Sequence, residues 1–262
     1  MPSRLSAAFA AAPGTCGLVP YLTAGFPSPD VSLEVMLGFA EAGARAIEVG
    51  IPFSDPIADG PDIQRASEWA LRGGVGVPEV LDLIARFRAR AATPVVIMTY
   101  FNPVLRLGLP GFAAGAKRAG ADAVLVSDLP PDESPEAWEE LARAELDTIV
   151  LVAPTTDEER LPALLSRASG FVYCLARTGV TGRAEGYAGP LAERIAGLRA
   201  RTKLPVAVGF GISSPEDARP IRPLADAIVV GAAFMREIAS DPDHGAAKRT
   251  RALADALIGA LR

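Results

Sequence analysis

Eight short apolar runs punctuate the chain. They are Gly17–Leu22, Ala46–Gly50, Pro94–Met98, Ala123–Ser127, Thr148–Val152, Phe171–Leu175, Pro205–Gly209 and Ala227–Val230. Each is apolar almost without interruption, the pattern of strands covered on both faces in a parallel sheet. Between them the period lengthens to that of a helix. Leu33, Met36, Leu37 and Ala40 recur at i, i+3, i+4 and i+7, and so do Val80, Leu83, Ile84 and Phe87. Leu5, Phe9 and Ala12 predict one more short amphipathic helix near the start. Ser28-Pro29-Asp30, Ser134-Pro135-Glu136 and Ser214-Pro215-Glu216 each offer a capping serine, a proline at the first helical position and an acid in the first turn.

Eight strand–helix units in 262 residues predict a single α/β domain over residues 1–262, a closed (β/α)8 (TIM) barrel with extra helices. A doubly wound open sheet is the alternative. Its first turn would usually be G-x-G-x-x-G, whereas this one is Thr23-Ala24-Gly25-Phe26-Pro27. Two connections are long. One runs from Gly50 to Pro94 and begins with the polar stretch 51–61; the other runs from Ala176 to Pro190 and holds four glycines. Barrels carry their chemistry at the C-terminal ends of the strands, so 51–61 is a candidate catalytic loop and 177–189 a candidate mobile lid.

Composition narrows the chemistry. With 50% hydrophobic and 22% charged residues the chain is globular, and 25 glycines and 23 prolines fit many turns. A net charge of −5 with scattered Lys and Arg argues against nucleic-acid binding. No apolar run approaches 18 residues and the N-terminus has no signal-peptide core, so a cytoplasmic protein without membrane contact is expected. The single His244 lies in a polar stretch, which argues against a Ser-His-Asp triad or a His-based metal site. Cys16 and Cys174 lie in or near apolar strands and read as buried free thiols. Asp, Glu and Tyr remain for acid–base work.

Glu48 is the sharpest candidate. Period two places it with Ala46 and Gly50 on one face of an otherwise apolar strand, near the barrel axis. Burial there raises a carboxyl pKa toward the range useful for proton transfer; a structural ion pair is the alternative. Asp55 and Asp59, in the following loop, would partner it or simply make turns. Asp128 ends the fourth strand as a turn-bonding or catalytic residue. Tyr21 and Tyr173 point to the mouth or fill the core. After the last two strands, Gly209-Phe210-Gly211 and Gly231-Ala232-Ala233 open helices, and Gly179 to Gly182 lies in the long loop before them. Backbone N–H groups at such turns bind anions, and barrels often hold phosphate there.

The run Ile47-Glu48-Val49-Gly50-Ile51-Pro52-Phe53-Ser54-Asp55-Pro56-Ile57-Ala58-Asp59-Gly60-Pro61 closely resembles the signature of the tryptophan synthase alpha subunit family. Pro20 to Gly25, Arg177 to Gly182 and Gly209 to Ile212 look like its other hallmarks, and the match spans about Val19 to Arg236. The resemblance implies a lyase that splits indole-3-glycerol phosphate into indole and glyceraldehyde 3-phosphate. Glu48 and Asp59 would be catalytic, with Tyr173 and Thr181 orienting. Gly182, Gly211, Gly231 and Ala232 would bind phosphate, and Tyr21, Leu125, Phe210 and Val229 would wall the indole pocket. No metal or organic cofactor is implied in this chain. The implied partner is a pyridoxal-phosphate beta subunit in an alpha2beta2 heterotetramer, met by Asp55, Pro56, Asn102 and Pro130. Residues 1–14 would be a capping segment, short for the family, and Ala232 stands where members often have Ser. A stand-alone lyase that releases free indole and a catalytically dead regulatory barrel are the alternative functions.

Overall fold

The computed structural model of the chain describes residues 3–176, 188–209, 211–242 and 244–262. Its elements run α1 (Arg4–Ala10), β1 (Gly17–Thr23), α2 (Pro29–Ala42), β2 (Ile47–Gly50), α3 (Pro61–Arg72), α4 (Val77–Arg88), β3 (Val95–Thr99), α5 (Phe101–Leu107), α6 (Leu109–Ala119), β4 (Ala123–Val126), α7 (Pro135–Arg143), β5 (Asp147–Thr148), β6 (Val150–Val152), α8 (Leu161–Ser166), β7 (Val172–Leu175), α9 (Ala188–Arg199), β8 (Val206–Gly209), α10 (Pro215–Ala218), β9 (Ala227–Val230), α11 (Ala232–Ala239) and α12 (Ala246–Leu261). All strand pairs are parallel, in the order β5-β4-β3-β2-β1-β9-β8-β7-β6.

Seven of the eight apolar runs match single strands within a residue or two. The eighth, Thr148–Val152, is divided. β5 pairs with β4 and β6 pairs with β7, and only Ile149 lies between them. The two ends of the sheet are thus consecutive along the chain, which closes the barrel. The Ile149 N–H still donates to Val124 O at 2.9 Å, so the backbone stays satisfied through the handover. The long connection after β2 is not one loop, because α3 and α4 occupy most of it.

Strand residues divide by parity into two cores. Leu18, Ile47, Val49, Ile97, Val124, Val172, Val208 and Ile228 pack outward against the helices. Val19, Ala46, Val96, Ala123, Leu125, Phe171, Tyr173, Ala207, Ala227 and Val229 fill the barrel, together with Leu5 and Phe9 of α1. The latter two plug the end where the strands begin. Arg4 Nε lies 2.7 Å from Asp122 Oδ1, just ahead of β4, and Ser3 donates to Asp147 of β5. Asp122 also takes Arg88 Nη2 and the Val95 N–H, each at 2.9 Å.

Helix starts follow two of the three expected caps. Ser28 accepts from the Val31 N–H, and Ser214 forms a reciprocal box with Asp217. Ser134 departs: its hydroxyl donates to Glu136 at 2.5 Å and caps nothing, because its ψ of 75° turns it away from the N–H groups of α7. Cys16 and Cys174 are buried free thiols, pushed up to about 12 and about 11 by burial.

Candidate active site

The mouth opens where the strands end. Glu48, central in β2, is 2% exposed, and its Oε1 has no hydrogen-bond partner among the described residues. Burial first, and then the charge of Asp59, pushes its pKa up to about 8. The alternative of a structural ion pair finds no basic partner for Glu48 among the described residues. Asp59 ends the loop after β2, half-buried. Burial raises its pKa to about 6, opposed by a hydrogen bond from Tyr100. Tyr100 Oη donates to Asp59 Oδ2 and accepts the Ala58 N–H, both at 3.0 Å. Its ring lies 5.0 Å from that of Phe53, which also braces the loop. Both carboxyls are thus raised above their ordinary values, Glu48 further than Asp59, an order that favours Glu48 as the proton-holding member of the pair.

Tyr21 and Tyr173 complete the group. Tyr21 pairs with Glu48 across the β1–β2 ladder, and its hydroxyl bonds Thr23 Oγ1 at 3.0 Å. Burial and the charges of both carboxylates push each phenol well above its ordinary pKa, so both stay neutral donors. Their rings pass over backbone at the ends of β2 and β8. A Cβ on Gly50 would strike the Tyr21 hydroxyl, and one on Gly209 the Tyr173 hydroxyl. Those glycines serve ring approach rather than turn geometry.

The sequence-nominated residues reach the mouth unevenly. Leu125 and Val229 are buried inside the barrel near Tyr173. Gly231 N-caps α11 and Ala232 is its first residue. Gly211 adopts φ 79° with open space at its Cβ position. The helix that follows Gly211 starts only at Pro215. Its cap N–H groups are taken, since Ser213 and Ser214 donate backbone and side-chain bonds to Asp217 Oδ2 at 3.0 Å. Thr181, Gly182, Phe210 and lid residues 177–187 lie outside the described residues, and the end of the expected lid, Ala188 and Gly189, already opens α9.

Asp128 is a turn residue: its Oδ1 accepts the Phe101 N–H at 2.7 Å and ties β4 to α5. Asp55 is exposed and Pro56 half-buried on the loop after β2, Asn102 is exposed at the start of α5, and Pro130 is half-buried on the loop after β4. Sequence reading missed Tyr100. It directly follows a strand at the C-terminal barrel end, and that position was the available signal. It also missed three exposed apolar side chains on the same rim, Ile57 at 85%, Leu105 at 55% and Leu107 at 44%. No cluster of three potential metal ligands occurs among the described residues, nor a helix long and apolar enough to cross a membrane.

This geometry has counterparts in known proteins. Residues 8–258 match the family model described as tryptophan synthase alpha chain. The tryptophan synthase alpha chain of Burkholderia pseudomallei strain K96243 is 46% identical over 250 residues, 94% of this chain and 92% of that one. That of Chromobacterium violaceum is 44% identical over 255 residues, 97% of each. The crystal structure of tryptophan synthase subunit alpha from Legionella pneumophila str. Paris superposes with a TM-score of 0.90 at 34% identity, covering 100% of this chain and 99% of that one. Tryptophan synthase from M. tuberculosis in its aminoacrylate-bound form gives 0.89 at 35%, covering 100% of both chains. With the barrel, the two unlike carboxyls and full-length similarity in agreement, the chain belongs to the tryptophan synthase alpha chain family.

Proposed function

We propose that this chain cleaves indole-3-glycerol phosphate to indole and glyceraldehyde 3-phosphate and passes the indole to a beta chain for L-tryptophan synthesis. The observation that carries this reading is the unlike pair of carboxyls. Glu48 is a neutral acid with an unpartnered oxygen in an apolar chamber, and Asp59 is an anion held by Tyr100. Retro-aldol cleavage needs both. Protonating indole C3 makes the ring an electron sink, and the carbon bond then breaks as the side-chain hydroxyl loses its proton. Glu48 delivers the proton to C3 and takes one from the hydroxyl. Asp59 accepts a hydrogen bond from the indole N–H and stabilises the positive charge that grows on the ring. Tyr173 orients the carboxyls, and Tyr21, Leu125, Phe210 and Val229 wall the ring.

Phosphate rests on N–H groups of Gly182, Gly211, Gly231 and Ala232, where α11 adds the positive end of its dipole. Residues 177–189 close over the substrate, with Thr181 reaching Asp59. The chain needs no metal or organic cofactor of its own, and pyridoxal phosphate belongs to the beta chain. The beta chain docks on the rim formed by Asp55, Pro56, Asn102 and Pro130. The exposed Ile57 of the loop after β2 and the exposed Leu105 and Leu107 of α5 support that face. An alpha2beta2 assembly in the cytoplasm follows.

Indole release from indole-3-glycerol phosphate, with and without a beta chain, tests the reading. Slow release that the partner accelerates supports it. Fast turnover alone points to a stand-alone lyase, and substrate binding without turnover to a regulatory barrel. Glu48→Gln retains binding and loses cleavage; a variant near full rate overturns the assignment.

A further inference from the structure

α11 and the Asp59 loop belong to distant parts of the chain, yet one ion pair joins them. Arg236, in the last turn of α11, places Nη1 2.8 Å from Oδ2 of Asp62. Asp62 is the second residue of α3, three positions after Asp59, and its side chain is only 15% exposed. Arg65, one turn on, takes its other oxygen. This first turn of α3 is tied to Asp59 in turn. Gln64 Nε2 donates to Asp59 O at 2.9 Å, and the Gln64 N–H donates to Gly60 O at 3.0 Å. The opposite end of α11 also reaches α3. A Cβ built on Gly231 would lie 3.5 Å from Ile63 Cδ1 and 3.3 Å from Tyr21 Cδ1, so the anion-binding turn packs directly on the residue next to Asp62. α11 thus grips the start of α3 at two points, by an apolar contact at Gly231 and an ionic one at Arg236. Both charges sit where their own helix dipoles favour them, the acid in a first turn and the base in a last turn.

We propose that Asp62 and Arg236 are positioning residues of the lyase reaction, locking the turn that carries Asp59 to the helix that holds the substrate phosphate. The inference rests on the lyase reading above. The phosphate and the indole ring are opposite ends of one substrate. With the two protein segments locked together, Asp59 meets the ring N–H whenever the phosphate is seated. Misalignment of a reacting group costs rate more than binding.

The test is steady-state cleavage of indole-3-glycerol phosphate with a saturating beta chain. Asp62→Asn and Arg236→Met each lower kcat by about three- to tenfold, about 0.7–1.4 kcal/mol, with KM within about twofold. Arg236→Lys, which keeps the pair, stays near wild type. The double variant Asp62→Asn/Arg236→Met falls no further than the worse single variant. A merely structural pair would lower thermal stability and leave kcat of the folded fraction unchanged. Unchanged kcat in the single variants, or losses that multiply in the double variant, overturn the proposal while leaving the lyase reading standing. A wild-type chain that cleaves nothing overturns the lyase reading and the role of the pair with it.

Discussion

A single buried carboxyl sets much of this protein's response to pH. Glu48 titrates near 8 in the fold, against an ordinary value of 4.5. Between those values the folded state holds a proton that the unfolded chain releases, so this group's contribution to stability falls as pH rises. Glu48→Gln removes that dependence. Its melting temperature should exceed wild type by several degrees at pH 8 and by much less at pH 5, as calorimetry would read; equal gains at both would refute the burial argument. The lyase reading needs Glu48 protonated and Asp59 ionised. kcat/KM should therefore form a bell between about 6 and about 8. Part of the Glu48 shift comes from the charge of Asp59, so Asp59→Asn moves the alkaline limb of its residual activity to lower pH. A limb that stays put would mean burial alone sets it. At the proposed phosphate turn, Ala232→Ser adds a hydroxyl at the first residue of α11 and should lower KM two- to tenfold; an unchanged or higher KM counts against that site. Glu48 was legible in sequence because a charge interrupts an apolar strand. Tyr100 was not, because its role exists only once the loop after β2 folds back to bring Asp59 to its hydroxyl.

At the scale of elements, periodicity found nearly every strand, since residues covered on both faces are apolar throughout. It could not find the division at Ile149. Both halves of that run are equally apolar, and only the closing of the sheet assigns them different neighbours. Capping was legible where the serine had suitable backbone, as at Ser28 and Ser214, and failed at Ser134, where ψ decides and sequence does not report it. α1 was legible from Leu5 and Phe9, though it stops at Ala10 and leaves the expected Ala12 outside; its seat was not legible, because Asp122 and Asp147 stand more than a hundred residues away. Leu5 is fully buried and packs beside Gly170 and Ile149 at the end opposite the active site. Leu5→Ala should cost about 2–5 kcal/mol in urea unfolding and leave kcat intact. A loss below about 1 kcal/mol would show that α1 is only loosely seated.

The molecule as a whole divides its labour between two ends. The end where the strands begin is stitched by arginines and carboxylates around an apolar plug, and the end where they stop carries the carboxyls, the glycine turns and an apolar rim. Leu105 stands exposed on α5, outside the group of carboxyls and tyrosines described above. Leu105→Asp should weaken association with a beta chain at least tenfold, about 1.4 kcal/mol, and leave the slow activity of the isolated chain unchanged. Titration calorimetry against the partner would decide it. The rim was illegible in sequence because single exposed apolar residues look like core until their neighbours are placed. The plug has a consequence for synthesis. Leu5 and Phe9 leave the ribosome long before Phe171, the ring that Phe9 meets at 5.7 Å. At roughly 5–20 residues per second, the nascent helix waits on the order of ten to thirty seconds for its seat. During that interval Leu5 and Phe9 have no barrel interior to enter, so their side chains stay uncovered until the later strands arrive.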